Sequence, residues 1–494
     1  MEMDSLLTRT PKAATVDEAL LLVSGTKFSA RLWFLCGLTQ FADACELLLL
    51  SFLASEIRCP FHLNTYDITL LQTCVLIGML LGSNATGILS DKSGRRPAVL
   101  LSLICTVVGG LSSTFASNFI TILGGRFIVG LGVGSAPVAL TLFTDFLPSN
   151  LETETRGRTL VGFFFFFSLG ALFESLVAWA TLSTFWHWRA LLFVSVLPSV
   201  ILLFLSLFLL PESPRWLVSN GHSDRALKTL CYVSKVNHQR NLLSEITILV
   251  NDNDRSQGKN IMRMKDKGVR INDNRSDDQL SSKTTITLSV LFFLMASLYY
   301  SIVLVGTSIV NDDHYNNSII ILNQTCGGNS NFINNTLSPT HTRGEFISLV
   351  VTNSAELPGL WIAYILLDRI GRQKTIQLFF ISCGVFCSAL LVSTLFSGPC
   401  PLWIRTFIVF GARGAALGFN QSLWIYTALF FKTKVRNTGI GFTTSFARIG
   451  SLLAPIIVNI GGQNGLTTVA ALCVGLSFIS FITVNRCLPK DDKK

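Results

Sequence analysis

The chain has 494 residues, of which 50% are hydrophobic and only 14% are charged, and its mean hydropathy is +0.52. A typical soluble domain contains about 25% charged residues, so this composition excludes an ordinary soluble protein and indicates a protein of the lipid bilayer. The net charge of +10 would point to nucleic acid in a soluble chain. In a membrane protein, basic residues instead gather in cytosolic loops, so we expect no nucleic-acid partner.

Residues 1–31 predict a cytosolic segment. They include Lys12, Asp17, Glu18 and Lys27 and lack the uninterrupted apolar stretch and cleavage site of a secretory signal peptide. We therefore expect the N-terminus to stay in the cytosol and the first apolar segment to act as an uncleaved anchor.

Twelve apolar segments follow, each long enough to cross a bilayer, for which about 20 residues are needed. The first six are residues 32–54, 67–90, 97–116, 119–146, 159–182 and 188–210. The second six are residues 285–310, 344–367, 375–397, 402–431, 438–460 and 466–484. The sequence predicts an all-α membrane protein with twelve transmembrane helices in two six-helix halves, residues 32–210 and 285–487, before a cytosolic tail at 488–494.

The polar segment between the halves, residues 211–284, predicts a cytosolic linker that is partly disordered, because it is rich in Asn, Asp, Lys and Arg without an apolar pattern. Most of the 39 basic residues lie on the cytosolic side of this topology, as the positive-inside rule requires.

The loop at residues 311–342 faces the lumen or the exterior in this topology. It contains three N-glycosylation sequons, at Asn316, Asn323 and Asn334, and we expect them to be glycosylated. Cys59 and Cys326 both fall in exterior loops, where a disulfide between them could form and would tie the two halves together.

Two segments of the first half recur in the second half. DKSGRR at 91–96 returns as DRIGRQ at 368–373, and RFIVGLGVG from Arg126 is echoed by RGAALGFNQ from Arg413. Parallel repeats related by an axis along the membrane normal are typical of one large class of transporters.

The cytosolic turn GILSDKSGRR resembles the loop motif of the major facilitator superfamily. Its matching residues, with those of the repeated turn, are Gly87, Asp91, Gly94, Arg95, Asp368, Gly371 and Arg372. Glycine allows a tight turn between crowded helices, and the acid and arginines can form charge-assisted hydrogen bonds. We interpret both turns as cytosolic gate latches, and we expect Glu212 and Arg215 of the following PESPRWL segment to pair with them.

Nearly the whole chain resembles the synaptic vesicle 2-related proteins. Its loop with the three sequons looks more like that of the related synaptic vesicle glycoprotein 2. The matching segments are FADACELLLLSFLA, RFIVGLGVGSAPVALTLFTDFLP, SAELPG, LLDRIGRQK and FARIGSLLAPI. The resemblance implies a vesicle or plasma-membrane protein of the organic ion transporter type. Leu429, near the end of span ten, stands where relatives have the acid of the second half, so one of two symmetric charge relays is missing.

Charged residues inside the spans are the candidates for a functional site, because a charge at the bilayer centre costs about 2.5–3.5 kcal/mol. They are Asp43, Glu46, Arg126, Glu174, Glu356, Arg413 and Arg448. Asp43 and Glu46 lie on one helix face at a depth that matches Arg126, which predicts an ion pair. Such pairs could carry substrate or protons, or only hold helices together.

Five consecutive phenylalanines at 163–167 could form an aromatic cage for a cation. On a helix, however, five consecutive side chains point in all directions, so we expect most of them to pack against lipid and neighbouring spans.

These patterns predict a secondary transporter that moves a small organic ion by alternating access, with its site between the halves. The sequence contains no ATP-binding motif and predicts no enzyme activity, cofactor or metal. An ion gradient would supply the energy, with Asp43, Glu46, Glu174 or Glu356 as the proton-coupling group, because a buried carboxyl can take up a proton near neutral pH.

The sign of the substrate depends on Arg448. In the organic ion transporters that FARIGSLLAP resembles, an arginine at this place accompanies anionic substrates, so an anion is favoured over a cation. Glu356 could instead neutralise Arg448, and the acids of the first span could attract a cation. The alternative function is a vesicle protein that binds a ligand or partner without transport. We expect a monomer in a secretory or synaptic vesicle membrane, with the plasma membrane as the alternative.

Overall fold

The computed structural model describes residues 12–23, 25–58, 60–148, 153–182, 188–238, 246–250, 283–304, 343–395, 401–430, 436–460 and 465–488. Within these residues the chain forms twelve membrane-spanning segments, here called spans 1 to 12, as the sequence predicts. Spans 1 to 6 are Thr26–Glu56, Thr65–Ser93, Arg95–Thr114, Phe119–Val133 with Ala136–Asp145, Thr153–Leu182 and Trp188–Leu209. Spans 7 to 12 are Lys283–Leu304, Arg343–Ser354 with Glu356–Ile370, Arg372–Leu395, Leu402–Phe430, Arg436–Ile460 and Gly465–Cys487.

Span 10 is the one of the twelve whose described residues are not apolar enough to identify it as a membrane span by length and composition alone. The other eleven are long and apolar enough to cross a membrane by length and composition alone. Span 10 includes Arg405, Arg413, Asn420 and Gln421, which lower its mean hydropathy. It packs against spans 8 and 9, where Arg413 and Gln421 are buried in protein and away from lipid.

Spans 4 and 8 are each interrupted, although the sequence predicts one continuous helix in both places. Span 4 breaks at Gly134 and Ser135, and span 8 breaks at Ala355. A proline, Pro137 or Pro358, lies in the first turn of the helix that follows each break. Proline has no N–H to donate, and the first turn of a helix is where that donor is not needed.

Glycines allow two pairs of spans to approach closely. A Cβ atom on Gly78 of span 2 or Gly130 of span 4 would collide with the backbone of the opposite span. In the second half, a Cβ atom on Gly359 of span 8 would collide with the backbone of Gly414 in span 10. The repeated glycine-rich motifs therefore bring spans 2 and 4, and spans 8 and 10, into backbone contact.

The N-terminal segment and the start of the linker fold together on the cytosolic side of the first half. The N-terminal segment comprises a strand, Lys12–Thr15, and a helix, Val16–Val23, and the linker contributes helices Pro214–Ser219 and Ser223–Val236. The strand pairs in parallel with linker strand Ile246–Val250. The start of the linker is thus ordered, and the stretch at 251–278, on which the expectation of partial disorder rests, lies outside the described residues.

Polar contacts fasten this cytosolic assembly to the bundle. The Asp17 carboxylate forms an ion pair with Arg215 at 2.5 Å. The side chain of Asn237 accepts a hydrogen bond from the Phe28 N–H and donates one to the carbonyl of Val23. Apolar residues of the N-terminal helix, such as Leu20, are buried in a cluster that also contains Leu230 of the linker.

Candidate functional site

A central cavity lies between the two halves at the level where the sequence places the buried charges. It has a volume of about 110 Å³ and is lined by residues of both halves. Asp43 of span 1 and Arg448 of span 11 are the charged residues of its wall. Aromatic side chains of Phe164, Phe167 and Trp424 form much of the remainder.

A larger chamber of about 490 Å³, here called the cytosolic vestibule, adjoins the central cavity. The two share Leu140, Phe164 and Trp424 in their walls. The vestibule extends to Asp91 and Arg95 of the cytosolic turn. The vestibule therefore lies between the central cavity and the cytosolic turn.

On the exterior side the two halves are in contact. The Nδ2 group of Asn353 in span 8 donates a short hydrogen bond to the Ser175 hydroxyl in span 5, and both side chains are buried. Leu349, one helical turn earlier, packs into an apolar cluster whose other members, including Trp188, belong to the first half. The two halves therefore contact each other on this side, whereas the cytosolic vestibule lies toward the opposite end of the bundle.

Arg126 and Glu46 form a buried ion pair, as their matching depths predict. Nη1 of Arg126 donates to Oε2 of Glu46 at 2.8 Å, and Nε donates to the Ser113 hydroxyl at 3.0 Å. The side chains of Arg126 and Glu46 are 0% and 1% exposed. The pair lies within the first half and contributes no residue to the wall of the central cavity.

A second buried ion pair joins Glu356 and Arg413. Nε of Arg413 donates to Oε1 of Glu356 at 3.1 Å, and the Tyr299 hydroxyl donates to the same oxygen at 3.2 Å. The interpretation that Glu356 could neutralise Arg448 is therefore wrong, because Arg413 occupies that position. Glu356 and Arg448 have similar depths in the sequence, but the arginine that repeats Arg126, Arg413, is the one that pairs with Glu356.

Glu174 of span 5 is fully buried and accepts a hydrogen bond of 2.7 Å from the Ser195 hydroxyl of span 6. Its other carboxylate oxygen has no partner among the described residues, and the same holds for one oxygen each of Glu46 and Glu356. These three acids therefore have spare acceptor capacity in places that water does not reach.

Asp43 and Arg448 differ from the other buried charges. Among the described residues, neither side chain forms a hydrogen bond or an ion pair. Both line the central cavity, where each is accessible to a ligand. The structure thus separates Asp43 from Glu46, which the sequence treats as a pair on one helix face.

The phenylalanine run is only partly a packing feature. Phe163 and Phe166 are buried and Phe165 is exposed, as the sequence predicts for a helix that packs on several sides. Phe164 and Phe167 line the central cavity, however. Packing therefore describes most of the five rings, as predicted, and these two also border the space between the halves.

Several polar residues of the cavity wall are not predicted from the sequence, among them Gln40, Asn420 and Gln421. Asn420 and Gln421 of span 10 line the cavity, and each has a side-chain carbonyl oxygen without a partner among the described residues. Tyr300 of span 7 lines it beside Tyr299. The adjacent Asn420 and Gln421 in an apolar span could have indicated this part of the site, because uncharged polar side chains within a span also need hydrogen-bond partners.

The cytosolic turn after span 2 forms a charge cluster within the first half. Arg95 forms ion pairs with Asp91 at 2.5 Å and Asp145 at 3.6 Å. Glu212 accepts hydrogen bonds from the N–H groups of Arg95 and Arg96, which confirms its expected contact with the turn. Gly94 has φ of +109°, a conformation that favours glycine.

The repeated turn after span 8 has the same backbone feature, since Gly371 has φ of +85°. Arg372, the next residue, begins span 9 and is half-buried. The Asp368 side chain lies outside the described residues. Within the described residues, the ion pairs of the first turn join only residues of the first half. Gly87, which precedes this turn, lines the cytosolic vestibule.

Other predicted sites lie outside the described residues. These are the sequons at Asn316, Asn323 and Asn334 and the cysteines Cys59 and Cys326. The described part of the chain contains no group of three or more His, Cys, Asp or Glu residues that could hold a metal ion.

Two six-span halves around a cavity that contains opposite charges define a transporter of the major facilitator class. The chain belongs to the sugar (and other) transporter family, whose family model matches residues 38–490. It is therefore a multi-pass membrane transporter with a small-molecule substrate.

Individual proteins support the same assignment. The chain is 30% identical over 458 residues to the putative transporter svop-1 of Caenorhabditis elegans, covering 92% of this chain and 81% of the relative. It is 31% identical over 448 residues to the synaptic vesicle 2-related protein of Xenopus laevis, covering 90% of this chain and 75% of that protein. The resemblance to that group is thereby confirmed.

The fold is similar to that of the xylose transporter XylE from E. coli in a partially occluded, inward-open conformation. The TM-score is 0.69 with 14% sequence identity, and the similarity covers 95% of this chain and 100% of XylE. At this identity the comparison establishes the fold and leaves the substrate to the residues of the cavity.

Proposed function

We propose that the protein is a secondary active transporter that moves a small organic anion by alternating access through the central cavity. The observation that carries this proposal is the free guanidinium of Arg448. Arg126 and Arg413 are each neutralised by a buried acid, whereas Arg448 faces the cavity with no partner among the described residues.

A guanidinium is well suited to an anionic group. It remains charged at any physiological pH and offers parallel N–H donors to a carboxylate or phosphate. In the confined cavity these hydrogen bonds would be stronger than in water, because less solvent screens them. The position of Arg448 on span 11 lets a bound anion interact with the second half.

We propose protons as the coupling ion and the Glu46–Arg126 pair as the carrier. A proton on Glu46 would neutralise the acid and leave Arg126 without a counter-ion, which would favour rearrangement of spans 1 and 4. Glu174 lies nearby with a spare oxygen and is the second candidate within the first half. Glu356 is the candidate of the second half, where Arg413 plays the corresponding part.

The test is uptake of labelled small carboxylates by proteoliposomes, with a pH gradient and after a protonophore has collapsed it. Gradient-dependent uptake supports the proposal. Arg448→Ala should weaken uptake of carboxylates more than that of neutral analogues of the same size. Equal loss for both kinds of compound would show that Arg448 is structural, and selective loss for cations would contradict the assignment.

A second candidate function is ligand binding without transport. Leu429 favours it, because this position has no acid to match Asp145, which is part of the charge cluster in the first half. Ligand-induced stabilisation with no flux under any imposed gradient would support this candidate and overturn transport.

We also propose a vesicle membrane as the location and a monomer as the functional unit, with the plasma membrane as the alternative location. The names of the synaptic vesicle 2-related relatives support a vesicle. Surface biotinylation of cells that express the tagged chain, together with light scattering of the purified protein, tests both points.

A further inference from the structure

The central cavity presents opposite charges on opposite halves of the protein. Asp43 belongs to span 1 of the first half, and Arg448 belongs to span 11 of the second half. Both lie in the wall of the same 110 Å³ space.

The surrounding charges are already neutralised by other residues. Glu46 is held by Arg126, and Glu356 is held by Arg413. Asp43 and Arg448 do not approach each other within ion-pair distance, and neither has another ion pair or hydrogen bond among the described residues. The cavity therefore holds one free negative group and one free positive group.

Uncharged groups of the same cavity wall provide further contacts. The side-chain carbonyl oxygens of Asn420 and Gln421 lack partners and could accept hydrogen bonds from a ligand. Phe164, Phe167 and Trp424 present aromatic faces, and such faces attract ammonium groups.

We infer that the substrate is a compact zwitterion whose cationic nitrogen binds Asp43 and whose carboxylate binds Arg448. This inference rests on the proposed transport function: it keeps the carboxylate that binds Arg448 and narrows the substrate to carboxylates that also carry a cationic nitrogen. A purely anionic ligand would neutralise Arg448 and leave Asp43 charged in a confined space, which is unfavourable. A zwitterion satisfies both groups at once, and the small cavity suits a molecule of a few non-hydrogen atoms between its charges.

The placement of the two groups also couples binding to the transport cycle. A zwitterion that contacts Asp43 and Arg448 bridges the two halves, whereas a singly charged ligand binds strongly to one half only. The bridged state would favour closure around the ligand, because its two ion pairs strengthen as the halves approach.

The test measures ligand-induced thermal stabilisation and binding affinity of the purified full chain in lipid nanodiscs. The probes are the amino acids glycine, β-alanine, 4-aminobutyrate and 6-aminohexanoate, which vary the distance between the charges. Each is compared with the carboxylate and the alkylammonium of the same chain length. We expect at least one zwitterion to bind about tenfold or more tightly than both matched single-charge probes.

Two charge-removing variants assign the contacts. Asp43→Asn should abolish the preference for the zwitterion over the carboxylate, and Arg448→Gln should abolish the preference over the alkylammonium. Asp224→Asn and Arg225→Gln are matched controls, because both residues are exposed on a cytosolic helix. These controls should keep the preferences of the unmodified chain.

The probe series decides the question even if a variant fails to fold. If every zwitterion binds no tighter than its matched carboxylate, the inference is overturned, while Arg448-dependent uptake of carboxylates would still support anion transport. If a zwitterion binds with the expected preference but no probe is transported under any gradient, the protein binds zwitterions as ligands and the transport proposal fails.

Discussion

Glu46 and Arg126 form a 2.8 Å ion pair between spans 1 and 4, with both side chains almost entirely withdrawn from solvent. In the second half, Arg413 repeats the position of Arg126, but its acid, Glu356, comes from span 8. The two arginines therefore occupy equivalent positions of the internal repeat, whereas Glu46 and Glu356 come from spans that are not equivalent. Because each pair closes within its own half, the two halves can rock without separating either pair.

Glu46→Gln should abolish proton-driven uptake in proteoliposomes while the protein still inserts in the membrane. The amide cannot carry a proton between the two sides, and its similar shape keeps the packing of span 1. Uptake at a series of pH values, normalised to the amount of reconstituted protein, measures the effect. Glu356→Gln is the matched variant of the second half, and retained pH dependence in Glu46→Gln with its loss in Glu356→Gln would move the coupling role to span 8.

The effects of substituting Glu46 and Arg126 on the stability of the protein should depend strongly on each other. Removing one partner of a buried pair leaves an uncompensated charge and typically costs about 3–5 kcal/mol. We expect Arg126→Gln and Glu46→Gln each to lower the thermal midpoint in detergent, and the double variant to recover much of the loss. Additive effects of the two substitutions would argue against direct coupling between the side chains.

The contact between Asn353 and Ser175 should act as an exterior latch. We expect Asn353→Ala or Ser175→Ala to increase labelling of a cysteine at position 140, in the cavity wall, by an impermeant thiol reagent added outside. One lost hydrogen bond of about 1 kcal/mol would shift the population of the outward-open state about fivefold.

The control for this latch lies on the opposite side of the membrane. Asn84 of span 2 and Ser445 of span 11 approach at 3.5 Å in the cytosolic vestibule. Asn84→Ala removes a contact between halves there and should not increase exterior labelling. If it does so to the same extent as Asn353→Ala, the effect is a general loosening of the interface.

Asp91→Asn should change the conformational equilibrium more than ligand affinity. Asp91 neutralises Arg95 at the cytosolic turn, far from Asp43 and Arg448 in the central cavity. Cysteine reporters on the two faces measure the equilibrium, and ligand binding is titrated in parallel. Unchanged labelling on both faces would refute the role of this turn as a gate latch.

Enzymatic deglycosylation should reduce the apparent mass of the protein made in glycosylation-competent cells, because Asn316, Asn323 and Asn334 lie in one loop predicted to face the exterior. Triple substitution of these residues by Gln should remove the shift, and substitution of Asn274 in the predicted cytosolic linker is the control. Non-reducing peptide mapping tests the Cys59–Cys326 disulfide, which a free Cys59 thiol would exclude.

Much of the fold follows from the sequence because the bilayer imposes simple rules. Long apolar runs predict the twelve spans, and the basic residues predict their orientation. The pairing of Arg126 with Glu46 was accessible too, because helical rise converts residue number into depth. The positive φ of Gly94 also agrees with a glycine in a tight turn.

The remaining features depend on tertiary contacts that depth does not encode. Glu356 and Arg448 have similar depths, yet rotation of each helix about its axis brings Glu356 to Arg413. The same limitation applies to Phe164 and Phe167, whose orientation toward the cavity depends on how span 5 packs. The cytosolic helices that follow Pro211 were missed because their apolar residues match those of the N-terminal segment, which is distant in sequence.

The attachment of the N-terminal segment to the first half gives it a practical use as a fixed reference frame. Strand Lys12–Thr15, the Asp17–Arg215 ion pair and the Asn237 contacts all secure it to elements that belong to the first half or its adjoining linker. A fluorescent dye placed there would move with spans 1 to 6 as a rigid body. Its energy transfer to a second dye on span 12 would then report the rocking angle between the halves in single molecules.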